Sequence, residues 1–452
     1  MVQQSVYYVG SDDEVAHHAR PIVDACRVRI VSAEEVLTHA KPGDLAIFFS
    51  EHFRRFREAV PILQQRNVAT LYAIDGILEW RNAWENRPDE PASPLTMRPV
   101  LSHKVATIGP SQTRVLNAWG NQGRTETVGL PRLDALQNRS SQNQPSRASD
   151  QTFRVLIVSA KWPGFTPEQM ECARQAFRDV RQWFEKHPII AGRRVETKWR
   201  LTQGLADDVG VENALRDMTG QDMASALRES DALITTPSTA MLEGMLHRLP
   251  VALLDYNACP HYVSAAWEIF APRHLDRILP ELATPPAPKL AWQQTLLHDA
   301  LACQTPAAPR LEALVQRMLA IANESVQAGR ELNFPANLLE DSGALHGCRT
   351  ESFEHAAMYP DIPEFQTSDL EQTQIALVDA RRVIEQLDSE VAQLKKELGQ
   401  AHEIFDQIHR HPIAGPIVRA RQRLLDWFAA RGTAKLDRTP EPSIRSKSGR
   451  TT

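Results

Sequence analysis

One stretch, residues 230–267, constrains the fold of this chain more than any other. It begins with a short apolar run at residues 231–235, which is typical of a buried strand. A turn rich in hydroxyl groups follows, and residues 240–247 then show a helical pattern with one apolar face. A second apolar run, residues 251–254, is closed by Asp255. Strand, turn, helix and strand form a βαβ unit, which predicts a parallel sheet.

The turn inside this unit is the first candidate binding site. It lies at the carboxyl end of the predicted strand, where open α/β sheets bind their ligands. We expect Ser238 or Thr239 to cap the following helix, which leaves neighbouring backbone N–H groups for an anion such as a diphosphate. Glu243 lies four residues after Thr239 and can face the same crevice, where it would bind a ribose hydroxyl. The alternative is an ordinary N-cap followed by a solvent-exposed glutamate.

The rest of the chain up to residue 330 repeats the same pattern. Short apolar runs alternate with helical patterns over residues 5–134 and again after residue 151. This alternation predicts two doubly wound parallel sheets. Between them, residues 136–151 are polar and rich in Ser, Gln and Asn, which is typical of a linker. No Gly-x-Gly-x-x-Gly follows the first predicted strand, which argues against a dinucleotide site there.

Two carboxylates follow a predicted strand in the first half of the chain. Asp75 stands where residues 69–74 end, next to Gly76, and Glu79 follows one helical turn later. A carboxylate at this position could take a proton from an acceptor hydroxyl, and either residue could act as that base. The alternative is an Asp-Gly turn with a helix cap.

Six further charged residues are candidates for the cleft between the two predicted sheets. Arg132 and Asp134 follow a sharp Gly-Leu-Pro turn and either face the cleft or pair with each other. Lys161 follows a strand as a phosphate loop would, and Lys198 and Arg200 share one face of another strand. Cations facing a diphosphate would stabilise a leaving group, although exposed basic side chains are usually solvated. Asp255 is assigned to the same cleft.

Two of these segments resemble the GT-B glycosyltransferases. STAMLEGMLHRLPVALLDY is similar to the donor-binding region of that family, in which a Ser/Thr pair and a downstream Glu hold the nucleotide and its phosphates. GLPRLD is similar to the G-x-P-R-x-D signature that closes the N-terminal domain in several GT-B families. Related polyol-phosphate transferases carry His-Gly at what looks like the turn of Asp75 and Gly76, so the histidine is replaced here.

The resemblance covers residues 5–330 and implies a function. It implies a glycosyltransferase that uses a nucleotide-sugar donor in the synthesis of a surface polysaccharide or glycoconjugate, with an unidentified acceptor. Asp75 or Glu79 would be the base, and no tightly bound cofactor or metal is expected. Two alternatives stay open. One is a polyol-phosphate transferase or nucleotide-sugar epimerase of the same fold, and the other is a catalytically silent GT-B-like scaffold that acts through a coiled coil.

The coiled coil is predicted from apolar residues spaced seven apart near the C-terminus. They are Leu370, Leu377, Ile384, Val391, Leu398 and Phe405. Such a helix is expected to form a homodimer or bind a partner through residues 370–408, unless it folds back on the globular part. Residues 413–430 combine arginines with Trp, Phe and Leu, which suits peripheral contact with an anionic membrane surface or an ordinary packing helix.

The predicted organisation therefore has seven parts. They are a Rossmann-like acceptor-side domain (1–135), a linker (136–151), a Rossmann-like donor domain (152–330), an irregular connector (331–368), a coiled coil (369–409), a basic amphipathic helix (410–430) and a disordered tail (431–452). A net charge of −5 argues against broad nucleic-acid binding. Five scattered cysteines and the lack of a signal-peptide pattern predict a cytoplasmic protein, with the inner face of the membrane as one location. The neighbouring His17 and His18 are expected to be a solvated pair on a helix.

Overall fold

The computed structural model describes residues 4–79, 97–139, 151–202, 204–211, 223–257 and 261–339, with the short pieces 391–396, 398–400 and residue 416. The chain forms two compact units, Met1–Gln366 and Thr367–Thr452. The first unit holds two six-stranded sheets with helices packed on them. This confirms the predicted α/β class with two Rossmann-like domains, the GT-B-like architecture that the sequence resemblance implies.

The first sheet is parallel throughout and has the strand order β2-β1-β3-β4-β5-β6. Its strands are β1 (Val6–Val9), β2 (Val28–Val31), β3 (Leu45–Phe48), β4 (Ala69–Ala73), β5 (Lys104–Thr107) and β6 (Thr125–Thr127). Its helices are α1 (Asp12–Cys26), α2 (Ala33–His39), α3 (Arg54–Gln65) and α4 (Pro110–Leu116). Ser11 and Ser32 start α1 and α2 through capping boxes with the glutamates three residues later.

The second sheet has the order β12-β11-β10-β7-β9-β8, in which only the pairing of β8 with β9 is antiparallel. Its strands are β7 (Thr152–Val158), β8 (Ile189–Ile190), β9 (Arg193–Arg200), β10 (Ala232–Thr235), β11 (Val251–Leu254) and β12 (Trp267–Ile269). Short helices α5 (Asp134–Arg139), α7 (Leu205–Val209), α8 (Met223–Arg228) and α9 (Ala240–Leu246) accompany the longer α6 (Pro167–Lys186), α10 (Leu275–Ala283), α11 (Ala287–Ala300) and α12 (Ala307–Gln327).

Helix α12 crosses back to the first sheet, although its residues lie in the range expected for the second domain. Leu314, Val315 and Met318 are fully buried in the same apolar cluster as β1, β3 and β4. The start of α12 is held by Asp134, whose carboxylate accepts hydrogen bonds from the amides of Ala307 and Ala308 at 2.8 Å each. Asp134 therefore caps a helix contributed by a distant part of the chain.

The two sheets also share an apolar cluster. Ile108, Leu130 and Leu133 of the first domain pack with helices α9 and α11 of the second. Gly109 lies so close to the end of α11 that an added Cβ would stand 2.3 Å from the carbonyl oxygen of Ala300. The two domains thus share one packed apolar cluster.

The segments between and after the domains differ in part from expectation. Helix α5 extends through residue 139, so residues 136–139 of the predicted linker are helical, and residues 140–150 lie outside the described residues. In the expected irregular connector, residues 331–339 form no helix or strand. The amides of Leu338 and Leu339 donate to Glu126, a buried carboxylate that also pairs with Lys104 at 2.7 Å.

The second compact unit is described only in pieces. Residues 391–396 and 398–400 are helical, and the apolar side chains of Val391, Leu394 and Leu398 are exposed there. The remaining heptad positions, most of residues 410–430 and the whole tail lie outside the described residues, so the coiled coil and the membrane contact stay predictions. Across the described part of the chain, no helix has the length and apolarity needed to traverse a bilayer.

Candidate functional site

The second sheet has a switch point, where a ligand crevice is expected, at the place where the chain reverses its direction of strand addition. Strand β9 is added on one side of β7 and β10 on the other, and ligands of open α/β sheets bind at such switch points. The loops after β7 and β10 are hydrogen-bonded to each other, because the amide of Ala160 donates to Oγ1 of Thr236 at 2.7 Å. The loop after β9 joins them through the amide of Thr202, which donates to Oγ of Ser159 at 2.9 Å. Three strand ends thus build one rim.

The hydroxyl turn has its predicted place but not its predicted cap. Thr239 precedes the first residue of α9, yet neither its side chain nor that of Ser238 caps the helix. The reason is backbone geometry, since Thr239 is itself in a helical conformation, whereas an N-cap side chain needs an extended one. Ser238 instead meets the hydroxyl of Thr235 at 3.1 Å. Among the described residues, the amides of Thr239 and Ala240 have no hydrogen-bond acceptor.

Glu243 faces the first domain and not solvent. Its Oε1 lies 2.9 Å from Nη1 of Arg132, and the two side chains are 12% and 23% exposed. Of the two options for Arg132, the structure therefore favours the cleft, where it joins the domains across the crevice. Nε of Arg132 is buried and has no hydrogen-bond partner in the described structure. Asp134 does not take part, because its carboxylate caps α12. Its assignment to the cleft stays a prediction.

The loop after β4 meets the hydroxyl turn directly. An added Cβ on Gly76 would stand 2.5 Å from Oγ1 of Thr239, so only glycine permits this approach. Gln112 of α4 holds the loop in place by donating to the carbonyl of Gly76 at 3.1 Å. Asp75, the neighbour of Gly76, is 43% exposed and stands at the carboxyl end of β4. The two sheets thus present their candidate residues to the same crevice.

His18 was missed by sequence reasoning and contacts Asp75. Its Nε2 lies 3.3 Å from Oδ2 of Asp75, and its side chain is only 9% exposed, so the expectation of a solvated histidine is wrong. The signal was present, since His18 falls on the apolar face of α1 with Val15 and Ile22. The side chain of His17 lies outside the described residues.

Tyr8 is a buried residue of β1 near this pair. Its pKa is raised far above the ordinary value of a tyrosine, first by burial and then by the negative charge of Asp75. The shift indicates that the carboxylate of Asp75 is felt at a buried neighbour on β1. Asp75 therefore combines an exposed carboxylate with a buried polar environment behind it.

Glu79 and Asp255 are linked through His261. Residues 79 and 261 form an isolated antiparallel bridge between the two domains. Nε2 of His261 lies 2.8 Å from Oδ2 of Asp255, whose other oxygen accepts the amide of Asn257. Burial lowers the pKa of His261, but the hydrogen bond to Asp255 and nearby carboxylates raise it above its ordinary value. Asp255 is therefore a buried partner of His261 at the carboxyl end of β11.

The three predicted cations lie in different places. Lys161 is exposed on the loop after β7, at the rim of the crevice. Arg200 ends β9, and its carbonyl accepts the amide of Ser159 while its guanidinium contacts the sulfur of Met223 at 3.6 Å. Lys198 is bound to the carboxylate of Glu229 at 2.8 Å and does not join the crevice. No cluster of potential metal ligands occurs in the described parts of the two domains.

No family model and no curated protein matches the chain. Several solved structures have a similar backbone. The wall teichoic acid polymerase TagF is 13% identical at a TM-score of 0.48 and covers 70% of this chain and 88% of its own. A putative UDP-N-acetylglucosamine 2-epimerase from Listeria monocytogenes is 13% identical at a TM-score of 0.44 and covers 74% of this chain and 100% of its own. Methanocaldococcus jannaschii UDP-GlcNAc 2-epimerase, in complex with UDP-GlcNAc and UDP, is 10% identical at a TM-score of 0.43 and covers 63% of this chain and 94% of its own. All three are named as enzymes, but these scores assign the chain to no reaction.

Proposed function

We propose that this protein is a glycosyltransferase that uses a nucleotide-activated sugar donor. The observation that carries the proposal is the contact of Gly76 with Thr239. It joins the switch-point crevice of the second sheet, with its unpaired amides, to an exposed carboxylate at the edge of the first. An anion site and a general base on facing domains are the two parts that such a transfer needs. The resemblance of residues 238–256 to a donor-binding region supports the same reading.

The donor side of the proposal uses the second sheet. The diphosphate would bind the amides of Thr239 and Ala240, with Lys161 at the rim to stabilise the charge that develops on the leaving group. Glu243 would bind a ribose hydroxyl after exchanging its contact with Arg132 for the ligand. Lys198 has no part in this arrangement, because Glu229 already neutralises it.

The acceptor side uses the first sheet. Asp75 would accept the proton of the acceptor hydroxyl while that oxygen bonds to the anomeric carbon of the donor. The bond from the anomeric carbon to the diphosphate breaks, and the nucleoside diphosphate leaves. Glu79 is the competing base, although its backbone is already bridged to residue 261. We place the reaction in the synthesis of a surface polysaccharide or glycoconjugate, as the resemblance implies.

One observation favours a second candidate, a polyol-phosphate transferase. That group of enzymes carries His-Gly where this chain has Asp75 and Gly76, and here a histidine, His18, stands 3.3 Å from the aspartate. Transfer of a polyol phosphate would use the same crevice but would break a different bond. This is the bond between the phosphorus of the transferred phosphate and the oxygen that bridges it to the other phosphate. Product analysis separates the two candidates, since one releases a nucleoside diphosphate and the other a nucleoside monophosphate.

The test is a calorimetry and thermal-shift screen of the full chain against UDP, GDP, CDP, TDP and their sugar or polyol conjugates. We expect selective binding of one nucleotide and weaker binding after Lys161→Ala. Lys198→Ala is the matched control, because it removes the same charge from a position outside the crevice. Folded protein that binds none of these ligands would refute both enzyme candidates and favour the scaffold that acts through residues 370–408.

A further inference from the structure

Two groups from separate elements meet at the edge of the first sheet. His18 comes from α1 and Asp75 from the loop after β4, and they approach to 3.3 Å between Nε2 and Oδ2. Their exposures differ sharply, at 9% for the histidine and 43% for the aspartate. A substrate that enters the crevice would therefore meet the carboxylate, while the imidazole lies behind it.

The ring of His18 is held in a fixed orientation. It stacks on Phe49 at the end of β3, with ring centroids 6.2 Å apart and an angle of 18° between the planes. Its neighbours on the same face of α1, Val15 and Ile22, are fully buried. Because α1 begins with a capping box at Ser11, the helix that carries the ring is anchored close to the sheet edge. The imidazole can thus present one nitrogen to Asp75 with little conformational freedom.

We infer that His18 is a positioning residue that orients the carboxylate of Asp75 toward the acceptor. In the neutral ring, Nε2–H donates to Oδ2, and the carboxylate, whose side chain is 43% exposed, accepts the proton of the acceptor hydroxyl. This inference rests on the proposed function and deepens it, because it assigns the base to Asp75 and not to Glu79. His18 itself does not touch the acceptor.

A neutral donor is what the role requires. A hydrogen bond from neutral imidazole fixes the carboxylate and lowers its basicity less than a charged donor does. An imidazolium would add a positive charge, lower the pKa of the carboxyl group further and weaken the base. Glutamine can replace this donor, since its Nε2 reaches a similar distance from the backbone. Methionine fills the volume beside Phe49 without any donor.

The experiment compares His18→Met with His18→Gln in the full-length chain. It measures release of nucleoside diphosphate from the nucleotide sugar that binds in the screen, with water as the acceptor. We expect His18→Met to lower kcat by about 10- to 100-fold, which is less than loss of the base itself would cost because Asp75 remains in place, with KM for the donor unchanged. His18→Gln should recover most of that loss. In an Asp75→Asn background, His18→Met should have no further effect on kcat, because the residue that it positions is gone.

His103→Gln serves as the matched control. It makes the same substitution at another histidine of the first domain, which contacts Thr70 and not Asp75, and it should leave kcat unchanged. Equal loss of activity in the Met and Gln variants, or additive effects with Asp75→Asn, would overturn the inference. If His18→Met does not fold, the comparison of His18→Gln with His18→Ala decides in the same way. Failure of the wild-type chain to bind any nucleotide is a different result, because it refutes the proposed function and not the positioning role alone.

Discussion

The ion pair between Arg132 and Glu243 offers a sharp test of the donor site. If Glu243 binds a ribose hydroxyl, its carboxylate must exchange Arg132 for the nucleotide. A hydrogen bond from a neutral hydroxyl to a charged group contributes about 1.5–3 kcal/mol. Glu243→Ala should therefore weaken nucleotide binding by about 10- to 150-fold. Arg132→Met frees the carboxylate and should leave the affinity unchanged or slightly tighter.

The same two variants also report the structural part of the pair. With side chains 12% and 23% exposed, the contact lies between a surface pair and a fully buried one. Loss of either partner should lower the free energy of unfolding by about 1–3 kcal/mol, and the double variant should be no less stable than the single ones. Urea unfolding measures the stability, and isothermal titration calorimetry measures the affinity, both at low ionic strength.

Arg114→Met is the control for a general loosening of the domains. Arg114 forms a bidentate pair with Asp299 at 2.6 and 2.7 Å, which also joins the domains but lies on α4 and α11, away from the hydroxyl turn. It should leave the nucleotide affinity unchanged. The ribose assignment is refuted if Glu243→Ala binds within about twofold of wild type. It is also refuted if Arg132→Met weakens binding as much, because the pair would then act only by holding the domains together.

Three further predictions concern other contacts. Gly76→Ala should lower the free energy of unfolding by about 1–3 kcal/mol through its clash with Thr239, and it should also weaken nucleotide binding. Adding Thr239→Ala should restore the stability, because it removes the clashing oxygen, and thermal melting measures this. Asp134→Ala should lower the free energy of unfolding by about 1 kcal/mol through loss of the α12 cap, and Asp134→Asn should lower it less. Nucleotide affinity should be unchanged in both variants, and weaker binding would instead indicate that Asp134 acts in the cleft. Burial and the charge of Arg124 lower the pKa of His103 to about 4, so its contribution to stability is present above pH 6.5 and is lost as pH falls toward 4. The slope of stability against pH over that interval should therefore flatten in His103→Gln, and an unchanged slope would contradict the assignment.

The fold could be predicted because its signals are local. Buried parallel strands are continuous apolar runs, and those at residues 69–74, 231–235 and 251–254 were recognised in that way. The short strands β8 (Ile189–Ile190) and β12 (Trp267–Ile269) were not predicted. The βαβ unit of residues 230–267 placed Ser238, Thr239 and Glu243 at a strand end, and the structure has them there. The helical cap failed because it depends on two dihedral angles of Thr239, which residue type alone does not determine.

The partners within the site could not be read from the sequence. Arg132 and Glu243 are 111 residues apart, and Asp134 meets a helix 173 residues later. Whether two charged residues pair at such separations depends on how the two domains pack, which no local pattern records. Helix α12 shows the same limit, since its apolar face suits either sheet. His18 is the exception, because its position on the apolar face of α1 was a local signal.

The return of α12 to the first sheet has a consequence for the order in which the chain matures on the ribosome. One face of the first sheet is covered by residues from α12 and by residues 338–339, which are synthesised after the whole second sheet. The buried residues of the main apolar cluster of the second domain, by contrast, come from residues 153–282, with Leu290 and Trp292 packed against them. The domain that is translated first must therefore wait with an open apolar face until α12 has been made. Nascent chains that stop before residue 307 would lack the α12 residues that pack on β1, β3 and β4, and exposed apolar surface of this kind favours aggregation.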